Sequence, residues 1–269
     1  MATIGAVYDA DPAPRRPHDI ITLAKPPTTK PRKKRRKKDR AKRPGPKAVR
    51  KWLTVSIADN PPDVIARVFD QAEARDPEHL RTWVVLIDGA NAHIDAINAE
   101  AAKRGKEIHI LIDFIHVLQY LHQAVRVLHP DADRATAVVA EHALAVLNGR
   151  AADVANRLDA EAADRHLDAE NRKKIAETVG YLRNKGGYLG YDTALAAGWP
   201  IATGIVESAC RHLIGDRLDI TGARWSLAGA EAVLRLRALL ANGDFDRYRT
   251  YHPGQEHQRN HQARYQLTA

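Results

Sequence analysis

Trp83 to Ile87 (WVVLI) is apolar at every position, and Glu107 to Ile112 (EIHILI) has nearly the same character. Between them, Ala92 to Arg104 is Ala-rich with apolar residues at helical spacing. A strand–helix–strand unit of this kind places its two strands parallel in one sheet. A strand without polar alternation predicts a central position, covered on both faces. Ile4 to Tyr8 (IGAVY) and Trp52 to Ile57 (WLTVSI) add two further strands, the second alternating as a half-buried strand does. The front of the chain therefore reads as an α/β layer.

From Phe114 onward the pattern is helical. Phe114 to Leu128 has an aromatic and aliphatic face, and Arg134 to Leu147 is Ala/Val/Leu-rich. Arg150 to Leu158 and Glu170 to Leu182 continue the helices until the glycines of Lys185-Gly-Gly-Tyr-Leu-Gly190 interrupt them. Helices resume at about Ile205 to Leu213 and Ala228 to Leu240, and the polar tail after Asn242 reads as loosely ordered.

Charge is unevenly spread. Lys25 to Lys51 holds 15 Lys/Arg against one acid, Asp39, so this stretch is +14 within a chain of net charge +9. Its prolines and lack of large apolar residues keep it from folding alone. Such a run, including Lys33, Lys34, Arg35, Arg36, Lys37 and Lys38, binds nucleic-acid phosphates through counterion release, without reading sequence. The plain alternative is a solvated linker. The single cysteine, Cys210, excludes an intrachain disulfide framework and a Cys-rich zinc module. No apolar run approaches the ~18 residues of a membrane span, and Met1 to Val7 lacks a secretory pattern. A soluble cytoplasmic, nucleoid-associated protein is expected, with no membrane partner.

Three acids stand out. Asp88 ends the WVVLI strand and precedes Gly89, where open α/β sheets usually hold ligands. Asp113 ends the next strand within Asp113-Phe-Ile-His116. Glu207 lies in the apolar stretch Gly204-Ile-Val-Glu-Ser-Ala-Cys210, where burying an unpaired carboxylate is costly and a hard divalent cation offsets the cost. Each has a simpler explanation. Asp88-Gly89 can be a turn, Asp113 a helix cap, and Glu207 an i,i+4 partner of Arg211. His116 can be an ordinary core histidine.

Taken together, Trp83-Val-Val-Leu-Ile-Asp-Gly89, Asp113-Phe-Ile-His-Val-Leu118, Gly198-Trp-Pro-Ile-Ala-Thr-Gly-Ile-Val-Glu207, Ala209-Cys-Arg-His212 and Asp219-Ile-Thr-Gly-Ala-Arg-Trp225 resemble the bacterial insertion-sequence transposases of the DDE type. The likeness is to the ISKra group, more distantly to Mutator-like enzymes, and runs from Ile4 to about Tyr265. It implies an RNase H-like domain with an all-helical insertion before the last catalytic helix. The corresponding divisions are 1–24 (strand and loop), 25–51 (basic linker), 52–128 (α/β part), 129–198 (insertion), 199–242 (catalytic helices) and 243–269 (tail).

On this resemblance Asp88 is the second acid and Glu207 the third, both metal ligands, with Asp113 a rival for second acid. Asp113-x-x-His116 looks like the Asp/Cys-x-x-His signature of Mutator-like enzymes. Arg211, His212, Arg224 and Trp225 follow the Glu as in the family, near bound DNA. The chemistry implied is in-line phosphoryl transfer on two Mg²⁺ or Mn²⁺ ions ~3.5–4 Å apart, with DNA ends and target as partners and at least a dimer in the synaptic complex. The family carries its first Asp on a strand upstream of the one that Met1 to Asp9 resembles. The chain is therefore expected to begin at about the second strand, N-terminally truncated, and Asp9 and Asp19 are poor substitutes because their surroundings read as loop. A catalytically incomplete DNA-binding remnant and a structure-selective nuclease are the alternatives.

Overall fold

The computed structural model describes residues 2–21, 44–219, 222, 224–257 and 259. Lys33, Lys34, Arg35, Arg36, Lys37 and Lys38 lie outside the described residues.

The chain is mixed α/β. Strand β1 (Thr3–Ala10) leads through a short helix, α1 (Pro17–Ile20), to β2 (Ala48–Ser56), with which it pairs antiparallel from Thr3↔Ser56 to Ala10↔Ala48. The register shifts between Val7 and Asp9. There Arg50 takes a left-handed φ of 49° and ion-pairs with Asp9 at 2.6 Å, as a bulge allows. Helix α2 (Pro61–Arg75) follows, then β3 (Trp83–Ile87), α3 (Asn91–Lys103) and β4 (Ile108–Ile112). β3 and β4 pair parallel from Trp83↔Ile108 to Ile87↔Ile112, as the crossover requires.

Five helices come next: α4 (Phe114–Leu128), α5 (Ala132–Leu147), α6 (Ala151–Ala163), α7 (Ala169–Asn184) and, after a 3-10 turn at Gly186–Tyr188, α8 (Tyr191–Ala197). Asp113, Asp131 and Asp168 cap three of them through side-chain oxygens. Helix α9 (Gly204–Ala209) runs into a π-helical turn, Cys210–Gly215, and then α10 (Asp216–Leu218). Helices α11 (Leu227–Asn242) and α12 (Phe245–His257) complete the described chain.

Core packing explains the order. The largest buried cluster lies among α4 to α8 and reaches Leu111 and Ile112 of β4, with Tyr191, Leu121 and Leu158 fully buried. A second joins β1 and β2 to α9, the π turn and α11 through Val55, Leu213 and Leu234. A third places Phe69 of α2 and Ile97 of α3 against Trp83, Val85 and Ile87. Val84 and Leu86 face the first cluster instead, so β3 is packed on both faces, as its composition predicts.

Yet β3 is only half-buried along its whole length, and so is β1. The reason is pairing: among the described residues β1 pairs only with β2 and β3 only with β4, in two separate two-stranded sheets. Helix α2 holds them side by side. Its Val68 sits against Gly5 of β1, while the next residue, Phe69, meets the Trp83 ring of β3 at 6.0 Å. Asp9 at the end of β1 is also bonded to Arg81, just before β3, at 2.9 Å.

Two expectations change here. The tail after Asn242 is helical through His257. Asp9 lies in a strand, not a loop, and its carboxylate is engaged by Arg50, Arg75 and Arg81. Helix α2 was not expected at all, although Asn60-Pro61-Pro62 followed by Val64, Ile65, Val68 and Phe69 carries a start signal and helical spacing.

A methyl group on Gly5 would lie 2.2 Å from Val68 Cγ2. Gly5→Ala is therefore expected to destabilise by about 1–3 kcal/mol, with the double variant Gly5→Ala/Val68→Ala recovering most of the loss in a urea titration. A second expectation concerns Glu231, buried on α11. Burial pushes its carboxyl up, but hydrogen bonds from the Ile57 N–H, Arg235 and Ser56 outweigh this and hold it below its ordinary 4.5. A depressed native value means the contribution is complete above 4.5 and is lost as pH falls through the native value. The urea midpoint of Glu231→Gln is thus expected to fall less between pH 6 and pH 3 than that of the parent chain.

Candidate functional site

Past the ladder, the C-terminal ends of β3 and β4 are joined by a hydrogen bond from the Asp113 N–H to the Ile87 carbonyl at 2.7 Å. Asp88, the next residue after Ile87, stands 55% exposed at its side chain. Its Oδ1 accepts from the Ala90 N–H at 3.1 Å and lies 3.7 Å from His93 Nδ1. The turn reading of Asp88-Gly89 therefore holds. Gly89 has φ 94°, and a Cβ there would press on Ile112 and on the Tyr181 hydroxyl, both at 3.1 Å. A side chain at 89 is excluded twice over.

The helical block clasps this turn. The Tyr181 hydroxyl donates to the Asp88 carbonyl at 3.2 Å, and buried Lys185 donates to the Asn91 side chain. Burial, with help from Tyr120, Asp88 and Asp113, drives the Tyr181 hydroxyl pKa upward, so it remains a donor at neutral pH. Tyr120 stacks on Tyr181 at 4.0 Å, and half-buried His116 meets the Tyr120 ring edge-on at 6.0 Å. His116 thus ends an aromatic relay that leads to Asp88, and among the described residues it pairs with no carboxylate.

Asp113 is 7% exposed and its carboxylate is fully engaged. Oδ1 accepts from the Ile115 N–H at 2.7 Å and caps α4, while Oδ2 accepts from the Thr203 N–H at 2.8 Å and from the Thr203 hydroxyl. The cap reading holds for Asp113. Through Thr203 it also fixes the start of α9, and Glu207 donates its N–H to the Thr203 carbonyl at 3.2 Å. Short contacts therefore run from Asp88 through Ile87, Asp113 and Thr203 to Glu207.

Glu207 departs from expectation: it is exposed, not buried. Alpha-helical spacing would also have paired it with Arg211. No such ion pair forms among the described residues, because the π turn begins at Cys210 and rephases the side chains that follow. Glu207, Arg211 and His212 instead line a shallow cleft of about 190 Å³ with Gly204 and Ser208. His212 bonds Asp216 at 3.2 Å. Arg224 is exposed, and Trp225 is 45% exposed.

Asp88 and Glu207 are hard oxygen donors of the kind Mg²⁺ or Mn²⁺ takes. Their number falls short. Among the described residues no three His, Cys, Asp or Glu groups converge where a metal ion could be held, and Asp113 is consumed as a cap. Tyr181, Lys185 and Thr203, which hold the acids in place, are not singled out by the sequence; only the glycine break after Lys185 hinted at a special backbone there. Among the described residues no helix is long and apolar enough to cross a membrane. No family model, curated protein or solved structure matches the chain.

Asp113→Asn replaces an acceptor with an amide facing the Thr203 N–H. A loss of about 1–3 kcal/mol is expected, together with faster amide hydrogen exchange across Gly204–Ala209 than in α11.

Proposed function

We propose that this chain is the catalytic part of a DDE-type transposase, acting on DNA phosphodiesters with divalent metal. The observation that supports this reading is the run of contacts through Asp113, which links two exposed acids, Asp88 and Glu207, neither of them paired with a lysine or arginine among the described residues. In this reading Asp88 and Glu207 hold Mg²⁺ or Mn²⁺, which supplies charge stabilisation to in-line phosphoryl displacement. Asp113 positions Glu207 and is not the second acid. Tyr181 and the aromatic relay from His116 steady the Asp88 turn. Two carboxylates do not complete the ligand set for two cations, and water and DNA phosphate oxygens are the further donors such cations take. An RNase H-like fold, a synaptic dimer and a nucleoid location follow from the same reading.

DNA contact falls to Arg211, His212, Arg224 and Trp225, with the basic run from Lys33 to Lys38. Arg211 and Arg224 are exposed, and neither pairs with a carboxylate among the described residues. That observation also favours a second reading, a DNA-binding protein without cleavage.

The test is Mn²⁺ binding followed by paramagnetic resonance, alongside nicking of labelled insertion-sequence ends. Asp88→Asn and Glu207→Gln are each expected to weaken Mn²⁺ binding by at least the roughly tenfold that even an indirect metal partner contributes, and to abolish nicking. Metal binding unchanged in both variants would sink the assignment. Binding without cleavage in any variant, with a salt slope that drops by about 0.9 per phosphate contact removed at Arg211 or Arg224, would select the second reading.

A further inference from the structure

The π turn after Glu207 has an identifiable holder. The Asp216 N–H reaches back five residues, to the Arg211 carbonyl. An α-helix would send it four back, to the His212 carbonyl. That carbonyl is taken instead by half-buried Arg237 of α11, whose Nη2 donates to it. Arg237 Nε is buried without a hydrogen-bond partner, and among the described residues the guanidinium pairs with no carboxylate. A cation so placed is costly to bury unless the bonds it does make are kept.

Helix α11 is a firm base for such a contact. Asn242 near its end is bonded to β2 twice: its Oδ1 accepts from the Leu53 N–H at 2.7 Å, and its Nδ2 donates to the Leu53 carbonyl at 3.0 Å. Buried Glu231 accepts from the Ser56 hydroxyl at 3.0 Å and from the Ile57 N–H at 2.9 Å. The wide turn also suits the core beneath it. Ala209, Leu213, Ile214 and Leu218 all pack in the cluster of Val55 and Leu234. Positions as far apart as 209 and 218 fall on opposite faces of an α-helix, and the widened turn brings them to one side.

We propose that Arg237 is a positioning residue for Glu207: by occupying the His212 carbonyl it holds the π turn, and so keeps Arg211 from closing on the Glu207 carboxylate. In the α-helical phase an acid four residues before an arginine is the favourable order for an ion pair. That pair would occupy both charges at once. The π turn leaves Glu207 open to a cation and Arg211 open to a phosphate, side by side in one cleft. The proposal rests on the reading of Glu207 as a metal ligand, whereas the hold of Arg237 on the turn does not.

Two measurements on the whole protein test it. Couplings across hydrogen bonds, read by nuclear magnetic resonance, are expected to join the Asp216 amide to the Arg211 carbonyl in the parent chain and in Arg237→Lys, which retains a donor. In Arg237→Met they are expected to move to the His212 carbonyl. Mn²⁺ binding, followed by paramagnetic resonance, is expected to weaken about tenfold in Arg237→Met and to recover in Arg237→Met/Arg211→Gln. A merely structural role for Arg237 predicts no recovery. Deletion of Gly215 removes the surplus residue with Arg237 in place. It brings Ala209 and Leu218 within about a quarter turn of each other on an α-helix, so the core is kept, and the same loss and the same recovery with Arg211→Gln are expected. Unmoved couplings in Arg237→Met, unchanged Mn²⁺ affinity in either variant, or a loss that Arg211→Gln leaves in place would each overturn the proposal. A parent chain that binds no Mn²⁺ would instead sink the metal reading, and the couplings would then decide the role of Arg237 by themselves.

Discussion

The buried carboxylate of Asp113 is the joint on which the site rests. It sits where β4 ends, caps α4, and receives both donors of Thr203 from a segment some 90 residues further along. A short, charged acceptor can satisfy three donors at a crowded corner where a neutral side chain could satisfy fewer. Removing it would loosen the starts of α4 and α9 where both meet the end of β4. The exposed acids on either side depend on this one.

The sheets depend on a helix more than on a ladder. Strands normally find their neighbours through backbone bonds, but β1 and β3 are aligned by adjacent side chains of α2. Gly5 permits the close approach of Val68, and Trp83 offers a broad face to Phe69. Arg104 locks α2 to α3 by reaching Asp70 at 2.6 Å as well as Glu73 and Glu100. These contacts hold the two sheets together although, among the described residues, no backbone ladder joins them.

Much of this was legible in residue order. The apolar WVVLI run, the Ala-rich helix and the second strand announce a parallel pair, and Asp113 announces a cap. The position of Asp88 at a strand end follows from the same pattern. What escaped was whatever depends on distant partners. Tyr181 and Lys185 lie over 90 residues from the turn they clasp, so no local pattern marks them. The exposure of Glu207 was misjudged because its neighbours are apolar, while the π turn that decides its surroundings has no signature in composition. The half-burial of β3 was equally hidden: periodicity reports which faces are covered and says nothing of edges.

Asn242 has a consequence for how this protein coexists with its own copies at high concentration. By presenting an amide fork to Leu53, it imitates one residue of a neighbouring strand and then stops. Growth of the sheet on that side is terminated, as a chain-capping reagent terminates a polymer.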